Sequence, residues 1–185
     1  MIRKAEEADV DGILNVLRCY NFKVIKAFDG APIDEDYGET ITLYNQVSEI
    51  DLRNGFVAVI DGKIVGFSHY KHLHEATAKT TLITVLPEYA GHGLGKELQL
   101  ARMKEAYEKG CKELITYCET RTIVDWYVKN FDYKVLRTEP VSHRLHFLKL
   151  KDQVIWAVHY GKKGRETLKV LTCNLEDFMH ERFSK

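Results

Sequence analysis

The sequence predicts an α/β fold, a mixed α+β sheet with helices on both faces. Three observations carry this. β-branched and alternating segments take turns with segments of helical apolar spacing along most of the chain. Asp61-Gly62 sits between two β-rich runs and is a dipeptide suited to a type I′ hairpin. A glycine-spaced run, "GHGLG" at 91–95, stands between a strand ending at Pro87 and a stretch of helix formers.

The elements follow in order. "MIRKA" reads as a short strand, and Asp9 is placed to cap a helix over Val10 to Tyr20. There Val10, Ile13, Leu14 and Leu17 follow i, i+3, i+4, i+7 and make one apolar face. "FDGAPIDEDYGET", residues 28–40, is polar and acidic and reads as a surface loop, followed by a second helical stretch over Ile41 to Val47. "GFVAVIDGKIVGFSHY" is the hairpin, and "TTLITVL" is the strand that ends at Pro87. The next helix runs to about Lys109. Leu94, Leu98 and Ala101 form one of its faces and Leu100, Met103 and Tyr107 another, so packing on two sides is expected. Gly110 suits a left-handed C-cap, and "ELITYC" is the following strand. A helix over Thr122 to Asn130, a strand from Tyr133 to Leu136 and the strand "RLHFLKL" come next. Two further β-rich runs, "VIWAVHY" and "ETLKVLTC", flank a basic turn "GKKGR", and an Asn174-capped amphipathic helix closes the chain. There are no internal repeats and no low-complexity linker.

Bulk composition bounds the function. A chain of 185 residues with 45% hydrophobic and 29% charged residues fits one soluble domain with its own core. Lys plus Arg and Asp plus Glu both number 27, so no overall field favours nucleic acid or a membrane surface. Glu6, Glu7, Asp9 and Asp11 interrupt any apolar leader, and no run approaches the roughly 18 apolar residues of a spanning helix. Cys19, Cys111, Cys118 and Cys173 are far apart and make no C-x-x-C; reduced thiols in a cytoplasmic protein are the expectation.

Alternate glycines at a helix start point to an anion cradle, because the first N–H groups of a helix are unpaired and its dipole end is positive. Counting tests two such cradles. A dinucleotide G-x-G-x-x-G begun at Gly91 puts its third glycine on Lys96, and a P-loop ending at Gly95-Lys96 needs a glycine at Ala90 and a hydroxyl at Glu97. Both counts fail. "VLPEYAGHGLG" instead resembles the acetyl-CoA loop of the GNAT N-acetyltransferase superfamily, commonly V-x-P-x-Y-[RQ]-G-x-G-[IL]-[GA]. Ala90 departs from it, standing where Arg or Gln is usual. "TIVDWYVKNFDYK" is similar to a second motif, A-x-x-F-Y-x-K-x-G-F, and places Trp126, Tyr127 and Lys129 on matching positions. Asp132 replaces the usual glycine there, the spacing from Lys to Phe is one residue longer, and Thr120 stands where Asn is common.

This resemblance covers roughly residues 1–150 and implies the GNAT fold, acetyl-CoA as cosubstrate and a small-molecule or protein amine as acceptor. The loop residues Gly91, His92, Gly93, Leu94, Gly95 and Lys96 would hold the coenzyme's pyrophosphate, with Thr120 and Lys129 as further coenzyme contacts. In the family the fourth and fifth strands splay apart and the fourth bonds the pantetheine chain, which implies Leu82, Ile83, Thr84 and Val85. The oxyanion donor would be the backbone of Val85 or Leu86. Tyr127 is the expected proton donor: phenols titrate near pH 10, whereas a thiolate with a pKa of about 8.5 can accept their hydrogen bond. It also falls on an i, i+3, i+4, i+7 stripe with Val124, Val128 and Phe131, the spacing of a core aromatic. The strand "TTLIT" carries no carboxylate, so Glu119, just past the next strand, is the nearest side chain for a general base, with a water relay as the other route.

Other clusters weigh less. His69, His72 and His74 in "HYKHLH" invite a zinc site, but on an extended chain His69 opposes the other two and only Glu75 stands near to complete the set. No metal is expected. Cys118 reads as a small buried hydrophobe before it reads as a nucleophile. Residues 151–185 lie beyond the family core as a C-terminal extension, with three roles open: extending the sheet, covering the acceptor site or forming a homodimer. Asp34, Glu35, Asp36 and Glu39 would favour a cationic acceptor if they face the cleft. Two readings of function stand side by side, a catalytic N-acetyltransferase and a non-catalytic acyl-CoA-binding or regulatory protein on the same fold.

Overall fold

The structure, a computed structural model, describes residues 1–28, 52–74, 76–118, 120–140 and 167–183. Glu119, the helix expected at 41–47, the acidic cluster at 34–39, the strands at 144–150 and 154–160 and the basic turn at 161–165 lie outside these residues, as does the expected boundary at 150.

Among the described residues, seven strands form one sheet: β1 (Ile2–Lys4), β2 (Gly55–Ile60), β3 (Lys63–His74), β4 (Thr77–Val85), β5 (Glu113–Cys118), β6 (Lys134–Pro140) and β7 (Thr167–Asn174). Their order is β1-β2-β3-β4-β5-β7-β6, antiparallel throughout except between β4 and β5. Four helices accompany them: α1 (Val10–Phe28), α2 (Leu94–Glu108), α3 (Arg121–Phe131) and α4 (Leu175–Phe183). Consecutive residues of β2 and β3 are buried, including Phe56, Val57, Ala58, Ile64, Val65 and Phe67. A strand buried at successive positions is covered on both faces, which is the expected layering.

Local chemistry explains several boundaries. Asp61 and Gly62 both have positive φ, 48° and 74°, as a type I′ turn requires. Gly110 (φ 85°) ends α2 in the left-handed conformation. Asn174 caps α4, its Oδ1 accepting from the Asp177 N–H at 3.1 Å.

Asp9 is a correction. It does not cap α1; a short 3₁₀ turn, Glu7–Asp9, leads into the helix. The Asp9 carboxylate instead takes both Arg3 Nη groups (2.6 and 2.7 Å) and accepts from the Glu6 N–H at 2.9 Å. The buried face of α1 is correspondingly centred on Ile13, Val16 and Leu17, while Val10 is exposed. The helix also runs on past Tyr20 to Phe28.

The C-terminal strand is not peripheral. β7 pairs with β5 on one side and β6 on the other, with Leu171 opposite both Thr116 and Val135. Leu168, Val170, Leu171 and Cys173 are buried, so this segment supplies core to the same sheet.

The pairing of β3 with β4 has an irregularity next to the point where β4 and β5 part. His69 pairs with Leu82 but Tyr70 pairs with Thr80, so Thr81 is an extra residue on β4, a β-bulge. Bulges bend and twist the strand that carries them. β4 pairs with β5 only from Thr77 to Lys79, just before the bulge, and beyond it the two strands part.

Candidate active site

The parting of β4 and β5 opens a cleft of about 920 Å³. β4 lines it from Lys79 to Val85 and β5 through Thr116 and Tyr117. The loop and first turn of α2 add Tyr89, Ala90, Gly91, Gly93, Leu94, Gly95 and Lys96, and α3 adds Thr122, Ile123, Trp126 and Tyr127. Two sequence motifs, at 85–95 and 122–134, thus line one groove.

The glycines have distinct reasons. Gly91 (φ 82°) and Gly93 (φ 84°) hold left-handed backbone, and a Cβ at either would project into open space. That space is what a bound group would fill. Gly95 has no such φ, and a Cβ there would merely touch Trp126 Cζ2 at 3.8 Å. Gly93 is the N-cap of α2 and no side chain caps the helix. The N–H groups of Lys96 and Glu97 turn back to the Gly93 carbonyl, at 2.9 and 3.1 Å. Leu94 and Gly95 precede that first turn of bonds, so their N–H groups lie where a helix offers donors to an anion. These residues fit a pyrophosphate.

Along β4 the register decides which groups face the cleft. The Leu86 N–H bonds the Val65 carbonyl at 2.8 Å, which makes 86 and 65 a hydrogen-bonded pair. Alternation in an antiparallel ladder then turns the backbone groups of Ile83 and Val85 away from β3, toward the cleft side. Leu86 itself is buried and its amide is committed to β3, so it is no oxyanion donor.

Tyr127 lines the cleft at 4% exposure. Its ring packs edge-on against Trp126 and beside Tyr133, both with centroids 4.9 Å away. Its hydroxyl oxygen accepts from Arg102 Nη2 at 2.8 Å. Tyr127 is therefore a core aromatic that also lines the cleft, and its hydroxyl makes a buried hydrogen bond. Burial holds the neighbouring Tyr133 phenol well above its ordinary range.

Other expected contacts are placed elsewhere. Thr120 is the N-cap of α3, its Oγ1 accepting from the Ile123 N–H at 3.3 Å, and it does not line the cleft. Lys129 is exposed in the last turn of α3: two residues past Tyr127 a helix has turned to its opposite side. His92 is exposed, with Nδ1 3.4 Å from the Tyr89 carbonyl oxygen. The histidines of β3 diverge, His69 Nδ1 meeting Thr81 Oγ1 at 2.7 Å and His72 Nδ1 meeting Cys111 Sγ at 3.3 Å. Cys118 is buried at 2% exposure.

Sequence reasoning missed Arg102. It is fully buried in α2 and contacts the cleft through Tyr127 and the Leu82 carbonyl. An arginine midway along a charged helix gives no signal of burial, and the carbonyls that receive its Nη1, on His69 and Leu82, come together only through the pairing of β3 with β4.

Comparison with known proteins agrees with this geometry. No curated protein matches the sequence. The fold is similar to the ribosomal-protein-S18-alanine N-acetyltransferase of Escherichia coli, with a TM-score of 0.63 and 14% identity over 95% of this chain and 93% of that one. It is also similar to the PaiA N-acetyltransferase of Thermoplasma acidophilum in complex with coenzyme A, with a TM-score of 0.57 and 19% identity over 94% and 98%. A third likeness is to N-acetylglutamate synthase from Neisseria gonorrhoeae, complexed with coenzyme A and N-acetyl-glutamate, with a TM-score of 0.56 and 18% identity. There the chain is covered over 95% but spans only 35% of the larger protein. At these identities the likeness is one of fold. The sequence itself matches the acetyltransferase (GNAT) family over residues 21–133, more than half of its length. This chain belongs to the GNAT acetyltransferase family and, with it, to the acyltransferases.

Proposed function

We propose that the protein moves an acetyl group from acetyl-CoA to a primary amine by direct attack of the amine on the thioester. The observation that carries this is one groove lined both by the glycine-rich helix start, Gly91, Gly93, Leu94, Gly95 and Lys96, and by Tyr127. Acetyl-CoA would supply the activated acyl carbon and a thiolate leaving group. The N–H groups of Leu94 and Gly95 would hold the pyrophosphate, with the Lys96 side chain beside them. The pantetheine chain would follow the parted strand from Leu82 to Val85, whose backbone on that side has left its partner β5. Tyr127 would give its phenolic proton to the sulfur as the carbon–sulfur bond of a tetrahedral intermediate breaks. Glu119 is the side chain to test first as the base that accepts the amine proton.

The acceptor is a small molecule or a protein amine. The relatives' names include both kinds, an amino-acid derivative and a ribosomal protein. The test is thiol release from acetyl-CoA with pooled amines, followed by a broad acceptor screen. Turnover with any amine at a rate above hydrolysis supports transfer. Tight acetyl-CoA binding with no turnover across the screen would leave the non-catalytic reading in its place.

A further inference from the structure

Arg102 lies midway along α2 at 0% exposure. Its guanidinium donates to four oxygens on four elements. Nε bonds Gln99 Oε1 at 2.6 Å, and Nη1 bonds the carbonyls of Leu82 at 2.6 Å and His69 at 3.1 Å. Nη2 bonds the Tyr127 hydroxyl at 2.8 Å. All four acceptors are neutral, and no ion pair among the described residues includes Arg102. A buried cation without a carboxylate is expensive to keep, and an apolar residue of similar volume would ordinarily fill such a place more stably.

We propose that Arg102 is a positioning residue for the acetyl transfer, fixing the Tyr127 oxygen and directing the phenolic proton into the cleft. The proposal rests on the role given to Tyr127 above. A guanidinium can only donate, so its bond occupies a lone pair of the phenol oxygen and leaves the single O–H to point elsewhere. The amine nitrogen bonds to the acyl carbon, the carbon–sulfur bond breaks and its electron pair leaves on sulfur. The Tyr127 proton moves to that sulfur, the amine loses its surplus proton to the general base or, through a water relay, to solvent, and water later reprotonates the phenolate. While the phenolate lasts, Arg102 is the cation beside it, and a charge-assisted bond is stronger than a neutral one. The same guanidinium ties Tyr127 on α3 to Leu82 on β4, one residue beyond the bulge, so it also holds the two walls of the groove at a set distance. Gln99 completes the support: it accepts from Arg102 and donates to the Tyr133 hydroxyl at 3.3 Å, and Tyr133 packs on the Tyr127 ring.

The experiment is a double-mutant cycle in the full chain, Arg102→Met and Tyr127→Phe alone and together. Arg102→Met is expected to lower kcat about ten- to a hundredfold, the range of a hydrogen bond to a charged group, with KM for acetyl-CoA nearly unchanged. In the Tyr127→Phe background it should cost nothing further. An equal loss in both backgrounds would mean that Arg102 acts on the scaffold alone and overturns the proposal. A second readout needs no turnover. With ¹³Cζ-labelled tyrosine, the Tyr127 resonance should move in Arg102→Met, and an unmoved resonance sinks the Arg102 assignment while leaving Tyr127 its role. If Tyr127→Phe keeps its kcat, the reading of Tyr127 fails and this proposal with it. Should Arg102→Met not fold, Arg102→Lys takes its place in the cycle. The wild-type protein then also decides: a guanidinium held on three sides shows separate Nη–H signals, and one averaged signal overturns the assignment.

Discussion

Gly12 on α1 lies so close to Ile64 on β3 that a Cβ at the glycine would stand 2.6 Å from the isoleucine Cγ1 and 2.8 Å from its Cβ. The second distance matters more, because a Cβ cannot swing aside. Gly12→Ala should therefore destabilise the fold by about 1–3 kcal/mol, the usual cost of overpacking. Gly12→Ala with Ile64→Ala should lose less than the sum of the two single changes. Urea unfolding of the four proteins checks this, and strict additivity would show that the helix simply moves away.

Asp132 ends α3 with φ 52°, left-handed backbone on a residue that has a Cβ. The family motif carries glycine at that place, and the geometry says why. Asp132→Gly should raise stability by roughly 0.5–1 kcal/mol, the strain relieved being partly offset by the freer unfolded chain. A thermal scan that shows a lower Tm would overturn the prediction.

Gly93→Val should weaken coenzyme A binding by about tenfold or more, equivalent to about 1.4 kcal/mol, because a β-branched residue cannot keep φ 84° and the loop would be pushed from its cradle. Calorimetry measures it, with the melting curve as the control for folding. Equal affinity in a folded variant would remove the loop from the coenzyme site.

Tyr127→Phe should lower kcat by about 10²–10⁴-fold while KM for acetyl-CoA changes little, as expected of a group that acts on the departing sulfur. Its ring contacts with Trp126 and Tyr133 remain in the variant, so the melting temperature should move only slightly. An unchanged kcat with chemistry rate-limiting returns Tyr127 to the core.

Asp9 gives a pH dependence. The Arg3 hydrogen bond, ahead of its opposing burial, holds the Asp9 carboxyl below its ordinary value. A depressed carboxyl contributes stability that is present above the unfolded value of about 3.9 and is lost as pH falls through the folded one. Asp9→Asn should thus be less stable than wild type by about 1–3 kcal/mol at pH 7, with the gap closing below about pH 4. A gap of constant size from pH 7 to about pH 2 would contradict this.

Much of the fold was legible because it is local chemistry. β5 runs over the same residues that the sequence implied, and Asp61-Gly62, Gly110 and Asn174 each do what their residue types suggest. α2 was read less well. Its buried stripe is Leu94, Leu98, Gln99, Arg102, Met103 and Ala106, whereas Tyr107, counted among its apolar positions, is exposed. Apolar spacing cannot find a face in which an arginine and a glutamine are buried. The glycine loop and Tyr127 were visible as motifs. The groove between them depends on a one-residue bulge at Thr81, and the register of two strands is not written in either strand alone. The place of β7 was hidden for the same reason.

That place bears on how the protein is made. β5 meets β4 only over Glu113–Ile115 but meets β7 along its whole length, and β6 reaches the sheet through β7. Synthesis runs from the N-terminus, so β5 and β6 emerge from the ribosome well before the strand that joins them. Until then, among the described residues, β5 has no strand on the side away from β4, and an open strand edge is the kind of surface that recruits other chains. A nascent chain stalled before residue 167 would be a substrate for chaperones rather than a smaller enzyme.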